Sequence, residues 1–321
     1  MSQTFDEQRA ILLESPEPHP YNVNRYLPLA EAFAQGKIHL QEPYIVAPVG
    51  ETAILLPMLP MVYHHVAQGR LGDMPWMAAF CCLCNAGTIF NARYQGQVYN
   101  FAAQGFYDVM VLMADEQTGS YWNNLTGVCL HGAMAGASLE RLNTLLQMRA
   151  EAALIAYPDA LVAVMDAMSE DEIAIAERWN STYRVPEVPK IGEGLLATGG
   201  TEDTRLPRYD MGLGVWTSQT KRYYAMSQLY ANHNIILDRV DGRGVVILLD
   251  EEIGLPTAFY HEPTHIEIRG SEFILSPNAR YSKGILYVDG QPTKAQRPNH
   301  NAIRWYGFAS IFPNCEIYGR I

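Results

Sequence analysis

No stretch of this sequence reaches the roughly 18 unbroken apolar residues that a membrane-spanning helix needs. The nearest, AILLPMLPMVYHHVA, is interrupted by Pro57 and Pro60 and ends in His64 and His65. The first residues, MSQTFDEQRA, carry acids where a secretory signal needs bases, and no long apolar core follows. Basic residues are scarce, 23 against 34 acidic ones, for a formal net charge of −11. Without a Lys/Arg cluster interleaved with aromatics, neither nucleic acid nor an anionic membrane is an expected partner. No phosphate loop is present: GGTEDT at Gly199 lacks the lysine, and GEGLLATGG does not follow a strand pattern. No Ser-His-Asp order stands out. Cysteines number only five, an odd count with three crowded together, which is not the framework of a disulfide-stapled secreted domain. These absences lead to an expectation of a cytoplasmic protein with reduced or metal-bound thiols. The sequons at Asn124 and Asn180 read as chance matches.

What is present is a folding chain of 321 residues, 48% hydrophobic and only 18% charged, with enough length for two domains. Its most distinctive stretch is FCCLCNAGTIF, residues 80–90, with Cys81, Cys82 and Cys84 in four positions. The flanks WMAAF and GTIF predict strand, tight turn, strand, with the thiols at the turn. Thiols so spaced can hold one soft metal ion or close a redox disulfide. Adjacent strand residues point to opposite faces, so Cys81 and Cys84 are the expected pair, with Cys82 packed in the core or left as a spare thiol beside the site.

Self-comparison suggests a duplication at a separation of about 170 residues. His64 falls opposite His233, Thr88 opposite Thr257 and Phe90 opposite Phe259. Nearer the ends of the copies Arg149 pairs with Arg304 and Pro158 with Pro313, the second copy being shorter for want of a counterpart to the stretch around DEQTGSYWNNLTG. Asp250, Glu251 and Ile253 stand where the first copy has cysteines, which points to the first copy as the site and the second as scaffold. The expected class is α+β and β-rich: two tandem, diverged copies of one β-rich unit with peripheral helices. The expected boundaries are a helical N-terminal extension over 1–43, a first copy over 44–162, a helix and linker over 163–210 and a second copy over 211–321. SLERLNTLLQMRAEAALIAY reads as an amphipathic helix through Leu139, Leu142, Leu145 and Leu146. DALVAVMDAMSEDEIAIAERWN also reads as helical, with Ser169 and Glu172 forming a capping box. VPEVPKIGEGLLATGGTEDTRLPRYD reads as linker. QVYNFAA, DVMVLMA, GVVILL, HIEIRG, FILS and ILYV read as strands.

At the motif level the chain resembles a bacterial family catalogued as domain of unknown function 3179. The resemblance rests on His64, a cysteine pair of Cys-Pro-Leu-Cys type at Cys81 to Cys84, the run NFAAQG, and the pattern Met113, Asp115, Thr118, Ser120, Trp122, followed by Thr126-Gly127, Gly132 and Gly136. It covers residues 44–162 well and the second copy faintly. Cys82 replaces the family's usual proline, and His65 its usual acid. The resemblance implies no particular chemistry.

Thiolate, imidazole and thioether together are the donors that suit copper. The expected metal ligands are therefore Cys81, Cys84, His64, His65 and Met113, with iron or zinc as alternatives. Cys129 and Cys315 are isolated, which speaks against a four-cysteine zinc. Met58, Met61, Met74, Met77 and Met110 fit either a soft-metal environment or an adaptable core. His131 is a further nitrogen donor. Asp115 is either a proton acceptor or ligand-orienting group, or the closing residue of a turn. Cys82 is assigned a catalytic part with it. The expected function is a copper oxidoreductase acting on a small molecule held near Phe101, Phe106 and Trp122. The alternatives are a metal-handling protein without catalysis and a thiol-disulfide protein.

Overall fold

The structure is a computed structural model that describes residues 5–15, 18–164, 168–183 and 191–320. It is β-rich, with seven α-helices among the described residues, and all but one of these are one or two turns long. Every run predicted as strand supplies one, and QVYNFAA supplies parts of two, Gln97–Val98 and Phe101–Tyr107, because these runs are rich in β-branched and other apolar residues between turn formers. No helix among the described residues is long and apolar enough to cross a membrane.

Two sheets carry the frame. In the first, Leu146–Arg149, Pro43–Val49, Thr52–Pro57, Leu161–Ala163 and Tyr26–Pro28 lie side by side in that order. In the second the order is Asn299–Arg304, Met211–Trp216, Lys221–Ala225 and Glu316–Ile317. Leu161–Ala163 runs parallel to Thr52–Pro57, as Glu316–Ile317 runs parallel to Lys221–Ala225, while the other neighbours among these are antiparallel. After Pro57 and after Ala225 the chain makes a short helix, Met58–His64 or Met226–Ala231. Each helix leads through left-handed residues, His65 or His233 and Asn234, into a β-meander. The meanders contain the cysteine hairpin, residues 74–91, and the Asp250 hairpin, residues 243–260.

Several sequence expectations are corrected. The stretch read as one helix with Leu139, Leu142, Leu145 and Leu146 is two strands, Arg141–Thr144 and Leu146–Arg149, followed by the helix Ala150–Ala156. Its leucines enter three different apolar clusters, because neighbouring sheets offer three separate surfaces to bury them. The N-terminal extension is not helical in the main. It holds a 3-10 turn at Glu7–Arg9 and one helix, Leu29–Ala34, while Ile11–Leu12, Tyr21–Val23 and Tyr26–Pro28 add strands to three sheets. The second expected helix begins only at Glu170, since Leu161–Ala163 is a strand. Its capping box forms as expected: Glu172 N donates to Ser169 Oγ, and Ser169 N donates to the Glu172 carboxylate. Residues 185–190 of the expected linker lie outside the described residues. From Ile191 that segment is turns and the short helix Glu193–Leu196.

Candidate functional site

The cysteine hairpin pairs Met74–Cys81 with Ala86–Asn91, leaving residues 82–85 as its turn. Strand, turn and strand thus stand where the sequence puts them. Met74–Cys81 is covered on both faces, which is why its sequence is an unbroken apolar run rather than an alternation. Cys81 and Cys84 are fully buried in one apolar cluster, with Val111, Leu125, Ile303, Trp305 and Phe308. Cys82 is equally buried but belongs to a different cluster, with Phe80, Met61 and Val62. The turn therefore separates one thiol from the other two. None of the five cysteines is in a disulfide.

The turn folds Cys84 back so that its Sγ lies 3.7 Å from the Cys81 carbonyl oxygen. Burial alone raises the Cys81 pKa. Hydrogen bonds from the Cys84 thiol and from the backbone N–H groups of Cys84, Val111 and Leu83 outweigh that burial and hold Cys81 below the ordinary thiol range. Burial, then the hydrogen bond and charge of Cys81, push Cys84 well above it. The pair is thus asymmetric: of the two thiols, Cys81 is the easier to ionise and Cys84 the harder.

Residues from the far end of the chain close over this turn. Arg304 N donates to the Cys84 carbonyl at 3.1 Å, Asn85 Nδ2 to Ala302 O at 3.3 Å, and Gly87 N to Asn301 Oδ1 at 3.1 Å. Gly307 packs so near that an added Cβ there would sit 3.2 Å from Cys84 Cβ. The buried Arg304 guanidinium donates to the carbonyls of Tyr209 and Tyr183. Buried Tyr306 feels the charge of both Cys84 and Cys81, and its hydroxyl has no hydrogen-bond partner among the described residues. Sequence reasoning missed Arg304 and Tyr306 as neighbours of the thiols. The only signal was the pairing of Arg304 with Arg149, which pointed to scaffold.

The other expected ligands lie elsewhere. His64 ends its helix with Nδ1 2.6 Å from the His19 carbonyl oxygen and its ring edge-on to Tyr63; burial lowers its pKa. His65 stacks on Trp179 with ring centroids 5.7 Å apart, and burial lowers its pKa to about 4. Met113 packs with Phe101, Trp122 and Phe90 in a cluster separate from both thiol clusters. Among the described residues no three His, Cys, Asp or Glu side chains form a metal-ready group. Asp115 accepts from Thr118 N at 2.6 Å, from Thr118 Oγ1 at 2.9 Å and from Trp122 Nε1 at 2.8 Å, the geometry of a turn-closing residue. Phe101 and Trp122 are fully buried and meet edge to face at 5.7 Å, so they form core rather than a pocket wall. His131 stacks near Tyr121 and Phe5, away from the cysteine turn.

The family model described as "Protein of unknown function (DUF3179)" matches residues 28–270. That span takes in the helix Glu170–Tyr183 and much of the later sheets, a wider reach than residues 44–162. No curated protein and no solved structure matches the chain.

Proposed function

We propose, from the premise that the chain belongs to the DUF3179 family, that Cys81 and Cys84 form a redox-active dithiol. The observation that carries this reading is the turn that folds Cys84 back on Cys81, with its Sγ 3.7 Å from the Cys81 carbonyl oxygen and both thiols in one buried cluster. Hydrogen bonds that hold the Cys81 pKa below the ordinary thiol range, while burial raises that of Cys84, make Cys81 the better nucleophile. In the step proposed, Cys81 sulfur attacks one sulfur of a small disulfide, forming a mixed disulfide and releasing one thiolate. Cys84 then gives up its proton and attacks the Cys81 sulfur, releasing the second thiolate. Two protein thiols are oxidised and one substrate disulfide is reduced. Tyr306 touches the pair's surroundings and also lines a cavity with Val109, Leu196 and Ser310, which supports entry from that side. Such a dithiol suits a reducing, cytoplasmic setting and a small-molecule partner.

The test is mass spectrometry of non-reduced protein after exposure to glutathione disulfide. Wild type is expected to lose two hydrogens, and Cys84→Ser to trap the mixed disulfide on Cys81. A mixed disulfide on Cys84 in Cys81→Ser, with none on Cys81 in the reciprocal variant, would overturn the assignment. The copper reading remains as a second one. Two thiolate donors in a dry apolar cluster are a set that a soft cation takes, without His64, His65 or Met113. Copper near one equivalent in protein purified without added metal, lost in both Cys81→Ser and Cys84→Ser, is the result expected of it.

We also infer that the chain is two tandem, diverged copies of one unit. Support comes from the matching strand orders and from backbone hydrogen bonds at corresponding places. Ala150 N donates to Glu42 O as Trp305 N does to Asp210 O, and Glu151 N to Leu40 O as Tyr306 N does to Arg208 O. Phe80 N donates to His65 O as Leu249 N does to Asn234 O. Experimental coordinates in which residues 43–91 and 211–260 fail to superpose would remove the inference.

A further inference from the structure

The Asp250 hairpin stands in the later part of the chain where the cysteine hairpin stands in the earlier part, and a cleft lies between them, lined by Phe80, Asn85 and Gly87 on one side and by Asp250, Leu255 and Thr257 on the other. Two cavities meet there, sharing Met148, Asp250, Ile253 and Gly284. Beyond this shared neck one cavity is flanked by Arg149, Glu252 and Lys283. The other runs to Thr257, Arg297, His300 and Asn301.

Each end has its own chemistry. At the neck, Asp250 is buried, and its carboxylate accepts from Tyr281 Oη at 2.7 Å and from Glu252 N at 3.1 Å. At the Arg297 end the polar groups are mainly donors. Arg297 Nη1 donates to Thr257 Oγ1 at 2.7 Å and to the Ala258 carbonyl at 2.9 Å, and no carboxylate pairs with it among the described residues. Asn301 accepts from Gly87 N through Oδ1, which leaves its Nδ2 buried with no acceptor. Arg141 lies against Trp216 and donates to Thr144 Oγ1, on the cavity wall; its Nε and Nη1 are buried without partners. His300 has Nδ1 2.9 Å from the Pro298 carbonyl oxygen, so Nδ1 carries the proton and Nε2 faces Thr257 as an acceptor. The charges of Arg297 and Arg141 both reach His300, and that of Arg297 also reaches Asp250, so both ends lie within one small electrostatic space. Buried donors left without acceptors are costly, and a carboxylate is the group that matches them. A carboxylate at the neck in turn matches an ammonium.

We propose that this cleft binds a small α-amino acid-like zwitterion, its carboxylate against Arg297 and Asn301 and its ammonium against Asp250. Neither Cys81 nor Cys84 lines this cleft, and the proposal does not depend on how that pair reacts. The closing experiment is isothermal titration of the full-length protein with three probes: L-alanine, propionate, which lacks the amine, and ethylamine, which lacks the carboxylate. L-Alanine is expected to bind about tenfold or more tighter than either half-molecule, because each half forfeits a charge-assisted contact. Asp250→Asn keeps an acceptor for Tyr281 and is expected to bring L-alanine to the affinity of propionate. Arg297→Met is expected to weaken L-alanine and propionate alike. Circular dichroism checks that each variant is folded. Should a variant fail to fold, the wild-type ranking of the three probes decides the matter. No binding of L-alanine to wild type, or no preference over its halves, overturns the proposal, as does unchanged binding in both folded variants.

Discussion

The carboxylate of Asp115 has a backbone N–H, a hydroxyl and an indole N–H aimed at it in a fully enclosed place. Removing it strands the Trp122 indole without an acceptor in the core. Asp115→Ala is therefore expected to cost roughly 2–4 kcal/mol of stability in urea unfolding, well above an ordinary surface change. His300 makes a second prediction. Burial, reinforced by the charge of Arg297, lowers its pKa from 6.5 to about 3, so the folded state takes up its proton later than the unfolded chain does on acidification. Its contribution is complete above pH 6.5 and drains away as pH falls from there toward 3, at up to roughly 1.4 kcal/mol per pH unit. Unfolding at pH 7, 5.5 and 4 is expected to show the stability gap between wild type and His300→Gln shrinking with acidity. A gap that stays constant would mean that His300 is not held neutral. The thiols were legible at this scale because three cysteines in four residues are rare. The histidines were less legible, because an imidazole in an apolar run looks the same whether it stands beside other ligands or, like His64 through Nδ1, against a backbone carbonyl.

At the scale of elements, the helix Trp305–Ile311 is set by a close approach. An added Cβ on Gly214, in the strand Met211–Trp216, would run into the buried ring of Phe308 on that helix. Gly214→Ala is expected to destabilise by about 1–3 kcal/mol, as overpacking of a full core does. It should also loosen the turn below, since Arg304 and Gly307 reach Cys84 from the start of the same helix. Faster alkylation of Cys84 in native protein would show that loosening, and an unchanged rate would argue that the helix does not guard the thiols. Strands proved more legible than helices. A run such as GVVILL declares itself by composition, whereas the leucines at 139, 142, 145 and 146 match a helical period and yet serve two strands and two connecting segments. Spacing alone does not say how many surfaces will bury a set of side chains.

For the whole molecule, the earlier and later parts of the chain complete each other. Arg304, Asn301 and Ala302 satisfy backbone and amide groups of the cysteine turn, while Arg149 binds the Glu252 carbonyl and carboxylate beside Asp250. A fragment ending at residue 210 would leave those groups and the apolar cluster around Cys81 open to water. It is expected to be insoluble, or to give far-ultraviolet dichroism without a near-ultraviolet signal. A soluble fragment with a cooperative unfolding transition would show that the earlier part is an independent domain.

By itself the sequence determined the β-rich class, the hairpin at residues 80–90, the separation of Cys82 from its neighbours and the capping box at Ser169. Each follows from short-range physics: alternation of side chains along a strand, the tightness of a turn, a hydroxyl three residues before a glutamate. Only the tertiary structure decided which groups surround the thiols. Arg304 and Tyr306 come to Cys84 from more than two hundred positions away, and no local pattern encodes that meeting. The cleft beside the later hairpin was hidden from the sequence for the same reason. Asp250, Thr257, Arg297 and His300 are unremarkable along the chain and line one cleft only when the sheets bring them together.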